Sequence, residues 1–506
     1  MSTTDWHQLL NNVDLTIGNV INGQRTPCAT DGSSDELIHK YAPRNGELLY
    51  SFPKGCAADI DAAVASAREA FDDGRWRTLA LPQRQAVLSK LADLIEEHKN
   101  TFALYESLDV GKTINNALYD DINRVTGALR DAVAEAGLLS APSGADQGFF
   151  AYQRRKPVGV VGGIAGWNFP LTLAVSKMAP ALIMGNSLVL KPSEFTSLSA
   201  QHLAVLALEA GVPPGVFNVV HGVGATVGAA LVAHPDVDLI SFVGSSATGK
   251  QIMAGAAQSN MKRVILECGG KSPYLIFDDC PQDLNYIAQD IVHTAFPNQG
   301  ALCVAGTRLL IQDTLREKLM PLIVEKAAAV KAKDPLSNEA TFGALVNEDH
   351  MNKVLAYIDS GKQEGADLLL GGERVYPEGD DSVKNGFYIE PTIFDKVSPK
   401  AKIAQEEIFG PVLSVITFSD EAEAIRIAND SCFGLASYAA TTDLGRAQRL
   451  GEQLNAGLLI VVGTSEPSGG GISISSDKHR QSGQGYSGGL EGLAAYTVST
   501  TVLVLT

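Results

Sequence analysis

The sequence predicts an α/β protein that contains two doubly wound parallel sheets and a small additional β element. From residue 157 onwards, short continuous apolar stretches alternate with stretches of helical pattern, and a second alternating region begins near Pro273. Continuous apolar strands separated by helices are typical of parallel sheets that are covered on both faces. The 506 residues also exceed what one simple core accommodates, so we expect two or three packed units.

The first alternating region follows residues 57–107, whose charged faces predict surface helices. Its expected elements in chain order are the strand Val158–Ala165, the helix Leu171–Met184, the strand Ser187–Leu190, the helix Ser199–Ala210, the strand Phe217–Val220, the helix Ala225–Ala233, and the strands Leu239–Val243 and Arg263–Leu266. The stretch Val158–Val175 approaches the length of a membrane span, but it contains Trp167, Asn168 and Pro170 as well as glycines. A buried strand followed by a turn is therefore the favoured interpretation.

The second alternating region is expected to begin after a boundary near residues 269–270. Its predicted elements are the strands Tyr274–Phe277 and Arg308–Ile311 and a helix from Thr314 to about Lys331. The Gly- and Ser-rich segment Gly463–Ser476 predicts a loop. The alternating segment Phe149–Arg155 and the β-branched segment Tyr496–Leu505 predict strands, and both could pair with another subunit.

The composition limits the partners of the chain. Hydrophobic residues make up 45% and charged residues 19%, as in an ordinary globular protein, and the net charge of −17 disfavours nucleic acid or an anionic membrane as a partner. No secretory signal is visible at the N-terminus. The cysteines show no Cys-x-x-Cys pair or metal-ligand spacing, so we expect no metal and reduced thiols in a cytoplasmic protein; they are Cys28, Cys56, Cys268, Cys280, Cys303 and Cys432.

Cys303 lies in a sequence context that favours a chemical role. It follows the run Asn-Gln-Gly-Ala-Leu at 298–302, in which a glycine lets a substrate approach the backbone closely. A cysteine is a strong nucleophile only as the thiolate, so its surroundings decide its role. An isolated cysteine is most often buried and inert, and the spacing alone leaves both interpretations open.

Glu267 and Asn168 are candidate polar partners of such a nucleophile. Glu267 ends an apolar strand, where desolvation favours the protonated carboxyl group and suits it to act as a base near neutral pH. The alternative, which the residues alone slightly favour, is an ion pair of Glu267 with Lys262 or Lys271. The Asn168 amide can donate to a developing oxyanion, or it can hold a turn before Pro170.

Three segments that follow predicted strands could hold a phosphorylated ligand. Gly244 and Ser245 open a helix, so backbone N–H groups and the Ser245 hydroxyl could bind a pyrophosphate, or Ser245 could simply cap that helix. Gly224 belongs to a G-x-G-x-x-x-G run, which is weak evidence by itself. Lys191 and Glu194 lie just after a short strand and could contact a ligand or form a solvated ion pair.

The combination of these motifs resembles the aldehyde dehydrogenase superfamily. The resemblance rests on the Asn-Gln-Gly-x-x-Cys run that ends at Cys303, the Glu-Cys-Gly-Gly-Lys-Ser-Pro run that begins at Glu267, the Gly-Trp-Asn-Phe-Pro run at 166–170, and a Glu-x-Phe-Gly-Pro run with Glu407 and Phe409. It covers nearly the whole chain, from residue 21 to residue 497, and its central motifs are highly specific.

The resemblance implies a division of the chain into three parts. Residues 1–138 and 158–268 are expected to form a Rossmann-like NAD-binding domain, and residues 269–482 a catalytic domain. Residues 139–157 and 483–506 are expected to form a small β oligomerisation element of a homodimer or homotetramer.

The resemblance also implies the activity, which is NAD-dependent oxidation of an aldehyde to its carboxylic acid. Cys303 would add to the aldehyde to give a thiohemiacetal, Asn168 and the Cys303 N–H would stabilise the oxyanion, and Glu267 would activate the water that hydrolyses the thioester. The Glu194 carboxylate would accept hydrogen bonds from a ribose and repel a 2′-phosphate, so NAD is favoured over NADP. The implied cofactor-binding residues are Trp167, Lys191, Glu194, Gly224, Gly244, Ser245, Glu407 and Phe409.

The resemblance fails between residues 456 and 489. Where the family has Pro-Phe-Gly-Gly, this chain has Ser-Ser-Asp-Lys at 475–478, which predicts a more polar or reshaped substrate tunnel. Ser487 replaces a glutamate that often joins a proton relay with a lysine, here Lys177, so the catalytic role of Lys177 is left open. Ser176 falls where many relatives carry a tryptophan, and this exchange predicts a wider pocket.

The sequence leaves several alternatives open. Asp120 and Asp121 either match acidic positions that relatives use for aminoaldehydes or belong to a solvated helix face. An acyl-transferring or esterase-like enzyme is one alternative function, although Glu267 argues against transfer to coenzyme A. A non-catalytic NAD-binding scaffold of the same fold is the other.

Overall fold

The computed structural model describes residues 4–30, 37–146, 148–377, 380–463 and 474–505. Within these residues the chain forms an eight-stranded sheet, a seven-stranded sheet, a three-stranded sheet and two short strand pairs. The inner strands of both large sheets are parallel, and helices connect them. The predicted fold class is therefore confirmed.

The eight-stranded sheet, called the first sheet below, carries much of the candidate site at its edge. In spatial order its strands are Gln24–Thr26, Asn19–Ile21, Phe217–Val219, Ser187–Lys191, Val160–Ile164, Leu239–Val243, Arg263–Glu267 and Gly483–Gln484. Four inner strands are buried at every residue, which explains their continuous apolar sequences.

The parallel register of the first sheet brings four strand ends together. Ile164 lies beside Lys191, and Val243 lies beside Glu267. Ligands of open α/β sheets bind outside the carboxyl ends of the strands. Residues that follow these strands therefore lie along one edge, where a cleft can form.

Helices cover the first sheet, and glycines end two of them. Gly111 and Gly211 have φ values of 89° and 111°, in the left-handed region that suits the end of a helix. The helices of this part of the chain are Trp6–Leu10, Ala57–Asp72, Leu81–Glu97, Lys99–Val110, Ile122–Glu135, Pro170–Ile183, Leu198–Ala210, Ala229–Ala233, Ser246–Gln258 and Gly489–Ala495, with π-helical turns at Asn116–Asp121 and Gly224–Gly228.

The seven-stranded sheet, called the second sheet below, has its own apolar core on both faces. In spatial order its strands are Asp367–Leu370, Thr392–Asp395, Val412–Phe418, Arg308–Gln312, Pro273–Ile276, Ala436–Ala440 and Leu458–Val462. Its helices are Leu284–Ala295, Asp313–Ala328, Glu348–Gln363, Lys402–Gln405, Glu421–Asn429 and Leu444–Gln453. Only Asp367–Leu370 runs antiparallel to its neighbour among these described strands.

The three-stranded sheet is smaller than the β element expected from the sequence. Its strands are Thr497–Leu505, Phe149–Pro157 and Ser143–Asp146, all antiparallel. The two strands that could pair with another subunit pair with each other along one edge, and the other edge of Thr497–Leu505 ends the sheet. Within the expected range 483–506, Gly483–Gln484 instead joins the first sheet, and Leu493 and Tyr496 are buried in its core.

The predicted elements of the first region have observed counterparts at nearly the same bounds. The apolar stretch Val158–Val175 divides into the strand Val160–Ile164 and a helix that begins at Pro170. No helix among the described residues is both long and apolar enough to cross a membrane. The predicted loop Gly463–Ser476 lies mostly outside the described residues.

Candidate active site

A cavity of about 480 Å³ lies where the carboxyl ends of the first sheet face the second sheet. The first sheet and the segments that follow its strands contribute predicted catalytic residues as well as predicted cofactor-binding residues. The part of the chain that forms the second sheet contributes the Cys303 thiol. The lining residues used below are Arg124, Trp167, Asn168, Phe169, Ser176, Gly244, Ser245, Glu267, Cys303, His350, Lys353, Glu407, Phe409 and Ser487. The predicted nucleophile, base and oxyanion donor thus share one space with five of the predicted cofactor residues.

The turn before Cys303 is held in an unusual backbone conformation. Asn298, Gln299 and Gly300 have φ values of 49°, 58° and 72°. Non-glycine residues with positive φ are strained and persist only where surrounding contacts fix them. A side chain at Gly300 would collide with the Gly410 carbonyl oxygen, so only glycine fits there. The Asn-Gln-Gly run therefore sets the position of the thiol through the backbone.

The Cys303 thiol is strongly stabilised in its protonated form. Burial and then the negative charges of Glu267 and Glu407 hold its pKa well above the usual range. The thiol must therefore lose its proton to a base before it can act as a nucleophile.

Glu267 does not form the ion pair that the residues alone favoured. Its Oε2 accepts a hydrogen bond from the Ser487 hydroxyl at 3.2 Å. The Lys262 ammonium donates instead to the carbonyl oxygens of Val232 and His234 and to the Ser259 hydroxyl. The Lys271 Nζ has no hydrogen-bond partner among the described residues. Glu267 therefore lines the larger cavity together with Cys303 and is not paired with either of these two lysines.

Asn168 is tied to the Cys303 turn by two hydrogen bonds. The Asn168 Nδ2 donates to the carbonyl oxygen of Ala301 at 2.9 Å. The backbone carbonyl oxygen of Asn168 accepts from Asn298 Nδ2 at 2.9 Å. One N–H of the Asn168 amide is used in the first bond, and the second remains available to an oxyanion. The Asn168 side chain thus holds the turn in place and still has one N–H that can donate to a ligand in the cavity. Sequence reasoning did not identify the contribution of Asn298.

A second cavity of about 190 Å³ lies behind Glu267. Lys177 lines it together with Ser176, Glu267 and Ser487, and the last three also line the larger cavity. Burial lowers the pKa of Lys177 to about 8, although the charge of Glu267 opposes this shift. The two cavities therefore meet at Glu267, with a buried amine on the far side.

Lys478 also belongs to the surroundings of Glu267, and sequence reasoning missed it. Its Nζ donates to the Ser487 hydroxyl at 2.6 Å and to the Ser476 carbonyl oxygen at 3.1 Å. Burial lowers its pKa, against the opposing charges of Glu267, Asp477 and Cys303. The one available signal was a lysine where the resembling family has glycine.

The residues expected near an adenosine ribose form a compact polar group. The Lys191 Nζ donates to Glu194 Oε2 at 3.0 Å and to the Pro192 carbonyl oxygen at 2.9 Å. The Gly224 N–H donates to Glu194 Oε1 at 3.4 Å. Burial alone would raise the pKa of Glu194, but the Lys191 charge and hydrogen bonds hold it below its usual value. The structure therefore brings these three predicted residues together around one carboxylate.

Gly244 and Ser245 lie where the strand Leu239–Val243 passes into the helix Ser246–Gln258. The Ser245 hydroxyl accepts from the Thr248 N–H at 3.2 Å, so it caps the helix. Gly244 and Ser245 line the larger cavity, and the first N–H groups of a helix have no partner within the helix, so a phosphate could bind there. A side chain at Gly244 would collide with the Phe242 ring, which explains the glycine.

A wall of aromatic and acidic side chains lines the same cavity as Cys303. The Trp167 ring packs edge to face against the rings of His350 and Phe409, with centroids 5.0 and 5.3 Å apart. The Phe409 backbone has a φ of 61°, and its carbonyl oxygen is 2.9 Å from His350 Nε2. Glu407 Oε1 accepts from the Gly270 N–H at 3.0 Å, and burial raises the pKa of this carboxyl group. Such a wall fits a flat ring joined to a ribose.

Asp120 and Asp121 do not line either cavity. Asp121 is buried and accepts from the Lys112 Nζ at 2.6 Å, and Lys112 lies 3.8 Å from the buried Glu106. Asp120 is exposed and accepts from the Asn116 amide. Arg124, one turn further along the helix, lines the larger cavity instead. The geometry thus gives no support to an amine-binding role for these two carboxylates.

The fold and the site define an α/β protein whose two parallel sheets share a cleft with a thiol and a carboxylate. A sequence model of the aldehyde dehydrogenase family matches residues 29–502. The chain belongs to this family.

Relatives and solved structures agree with this assignment. The aminoacetaldehyde dehydrogenase of Pseudomonas aeruginosa is 43% identical over 422 residues, which cover 83% of each chain. The NADP/NAD-dependent aldehyde dehydrogenase PuuC of Escherichia coli is 40% identical over 96% of this chain and 94% of its own. The structure of a mutant of the P. syringae indole-3-acetaldehyde dehydrogenase AldA, in complex with NAD+ and IAA, superposes with a TM-score of 0.94 at 41% identity over 99% of both chains. The predicted family is confirmed, and with it the class of enzyme, an oxidoreductase that acts on aldehydes.

Proposed function

We propose that this chain oxidises an aldehyde to the carboxylic acid with NAD, through a thioester on Cys303. One observation carries the proposal, namely that a single cavity contains the Cys303 thiol, the Glu267 carboxylate, the Asn168 amide and the wall of Trp167 and Phe409. A nucleophile, a base and an oxyanion donor within one enclosed space are the parts that acyl chemistry at a carbonyl requires.

The proposed reaction uses Glu267 twice. The Cys303 sulfur bonds to the aldehyde carbon while its proton passes to Glu267, and the oxyanion accepts from Asn168 and the Cys303 N–H. Bound NAD supplies the acceptor for the hydride, which leaves a thioester on Cys303. Glu267 first releases the thiol proton towards solvent, then takes a proton from the attacking water and returns it to the departing sulfur. The raised pKa of the Cys303 thiol makes its participation dependent on this base.

The residues around the cleft fit NAD better than NADP. Lys191, Glu194 and the Gly224 N–H would hold the adenosine ribose, Ser245 and the helix end would face the pyrophosphate, and Glu407 would hold the second ribose. The Glu194 carboxylate stays ionised because its pKa is lowered, and a 2′-phosphate would be repelled by it. Replacement of Glu194 by Gln should therefore narrow the difference between the apparent KM values for NAD and NADP.

The substrate side of the cavity favours aldehydes with a neutral or anionic tail over aminoaldehydes. The cavity lining is largely apolar, and its charged residues apart from Glu267 and Glu407 are the cations Arg124 and Lys353. The Arg124 guanidinium lies 5.8 Å from the centre of the Phe169 ring and makes no ion pair with the described residues. A carboxylate at the far end of a substrate could pair with it, whereas an ammonium would be repelled.

Two edge strands support the proposal of a homodimer or homotetramer. Leu458–Val462 ends the second sheet and Thr497–Leu505 ends the three-stranded sheet, and both expose apolar side chains. An open apolar edge is a surface with which a strand of another chain can pair. We accordingly assign the first sheet to the NAD-binding domain, the second to the catalytic domain and the three-stranded sheet to oligomerisation. The six free cysteines are consistent with a reducing, cytoplasmic compartment.

The test is the formation of reduced nicotinamide, followed by absorbance, with NAD or NADP over a panel of aliphatic, aromatic, amino and carboxylate-bearing aldehydes. Turnover that disappears in Cys303→Ala and persists in the exposed Cys432→Ala variant supports the proposal. Binding of NAD without turnover on any aldehyde would instead favour the non-catalytic scaffold. Hydrolysis of an activated ester without oxidation of any aldehyde would favour the esterase-like enzyme.

A further inference from the structure

A continuous chain of hydrogen bonds leads from Glu267 into the altered C-terminal segment. Glu267 Oε2 accepts from the Ser487 hydroxyl at 3.2 Å, and the Ser487 oxygen accepts from Lys478 Nζ at 2.6 Å. Lys478 is buried, and its ammonium has the Ser476 carbonyl oxygen as a second partner at 3.1 Å. Both side chains lie in the part of the chain where the resemblance to the family fails, so the motifs of the family do not account for this arrangement.

The exchange of residues alters the charge around Glu267 as well as its contacts. Ser487 takes the place of an anionic residue, and Lys478 adds a cation where the resembling family has glycine. The charged and titratable groups that act on Lys478 are Glu267, Asp477 and Cys303, and it also acts on Lys177. Lys177 makes no hydrogen bond with the described residues near Glu267, whereas Lys478 reaches Glu267 through one hydroxyl.

We propose that Ser487 and Lys478 are positioning residues that form the proton path of Glu267 in this protein. This inference rests on the proposed function, in which Glu267 acts as the base. Glu267 holds the Cys303 proton after the thiol has attacked, and it must release that proton before it can activate water. The Glu267 proton passes to the Ser487 oxygen while the Ser487 proton passes to the neutral Lys478 amine.

The proton balance of this path is complete. One hydride leaves the substrate for the bound cofactor, and one proton leaves through Lys478 to solvent in each turnover. The second proton on Glu267 comes from water and returns to the departing sulfur, so it does not use the path. Burial lowers the pKa of Lys478, a shift in the direction of the neutral amine, and the adjoining Asp477 is only half-buried, which brings the path close to solvent.

The path makes a specific prediction about the two halves of the reaction. The first reduction of NAD precedes the release of the proton from Glu267, so it should proceed at the normal rate without the path. Hydrolysis of the thioester needs Glu267 in its deprotonated form, so this step should become slow when the path is removed. Ser487→Ala should therefore show a normal first burst of reduced nicotinamide, near one equivalent per site, followed by a steady-state kcat reduced at least about 10-fold.

Two substitutions of Lys478 distinguish proton transfer from a merely structural or electrostatic role. Lys478→Arg keeps the charge and the hydrogen-bond donors, but a guanidinium does not give up its proton in proteins. We expect it to show the same burst and the same slow steady state as Ser487→Ala. Lys478→Met should behave likewise and should recover activity when a small primary amine is added, with a pH dependence set by that amine.

Ser475→Ala is the matched control for these variants. Ser475 lies in the same segment, but its hydroxyl bonds to Glu491 rather than to the base, so its loss should leave kcat unchanged. A wild-type steady state in Lys478→Arg, or in both Ser487→Ala and Lys478→Met, would overturn the proposal. Failure of the proposed function would look different, because the wild-type protein itself would then reduce no NAD with any aldehyde.

Discussion

Two walls of the cavity around Cys303 are built in different ways. The wall that carries Asn168 and the Asn-Gln-Gly turn is fixed by the backbone, through positive φ values and a glycine that fits closely against Gly410. In the wall formed by residues 474–487, Gly483 pairs with the backbone of Glu267, but the contact with the Glu267 carboxylate is made by the Ser487 side chain, which Lys478 contacts in turn. The first wall keeps the motifs of the family and the second does not. Chemistry that depends on backbone position resists replacement, whereas a path made of side chains can be rebuilt from other residues.

The largest effect should come from the thiol itself, because no part of the second wall can replace it. Cys303→Ala should lower kcat/KM for any aldehyde substrate by roughly 10⁶-fold, the scale of the loss of an essential nucleophile. Binding of NAD, followed by quenching of tryptophan fluorescence, should remain. The exposed Cys432→Ala variant should match the wild type in both measurements. An active Cys303→Ala enzyme would show that the Cys303 thiol is not the nucleophile.

A smaller loss is expected at the oxyanion donor. Asn168→Ala removes both the bond to Ala301 and the proposed donor, so kcat should fall by about 10²- to 10³-fold while the KM for NAD changes little. Steady-state kinetics with a saturating aldehyde measure this loss. The exposed Asn123→Ala variant is the control. If kcat stays within twofold of the wild-type value, the Cys303 N–H alone suffices for the oxyanion.

Lys177, which lines the smaller cavity behind Glu267, should affect the free energy of unfolding and its dependence on pH. Burial lowers its pKa from the usual 10.5 to about 8, so between these values the unfolded chain binds more protons than the folded protein. The contribution of Lys177 to the free energy of unfolding therefore rises with pH across this window. Lys177→Met should be more stable than the wild type at pH 7, by the order of a few kcal/mol, and this advantage should shrink towards pH 10. Urea unfolding at both pH values measures it, with the exposed Lys333→Met as control.

The smallest effect is expected at the mouth of the cavity. Arg124→Gln should raise the KM for an aldehyde with a distal carboxylate about fivefold, since an exposed ion pair contributes ~1 kcal/mol or less. The KM for a neutral aldehyde of equal length should not change. Arg130→Gln, on the same helix but paired with Asp93, is the control. Equal KM changes for the two aldehydes in Arg124→Gln would refute the charge preference, and so would a lower KM for aminoaldehydes in the wild-type protein.

Much of the fold and the first wall could be predicted from the sequence, because their signals are local. Continuous apolar runs defined the parallel strands, and the residues 298–303 are contiguous, so the turn and the thiol appear as one motif. Glu267 was harder, because its favoured ion pair with Lys262 or Lys271 depended on where those lysines point. The Lys262 ammonium donates to Val232 instead, and the Lys271 ammonium has no hydrogen-bond partner among the described residues, which no local sequence pattern indicates.

The second wall could not be predicted, because its contacts join distant parts of the chain. Ser487 and Glu267 are 220 positions apart, and the altered segment matches no motif that would place Lys478. The surroundings of Asp121 were not predicted either, although its partner Lys112 is only nine positions away, because the sequence does not show that both side chains are buried. The roles of the individual residues stay predictions until the variants are measured.

The short strand Gly483–Gln484 has a consequence for the order in which this protein is made. It pairs with Leu266 and Glu267, and the adjoining Ser482 hydroxyl donates to the Gly269 carbonyl oxygen at 2.7 Å. Folding during synthesis proceeds from the N-terminus, so most of both large sheets can form while this last strand is still inside the ribosome. The edge beside Glu267 stays open until then. A nascent or truncated chain can therefore form most of both large sheets before the contacts on this side of Glu267 exist, and we expect turnover of aldehydes only after residues 483–487 have been added.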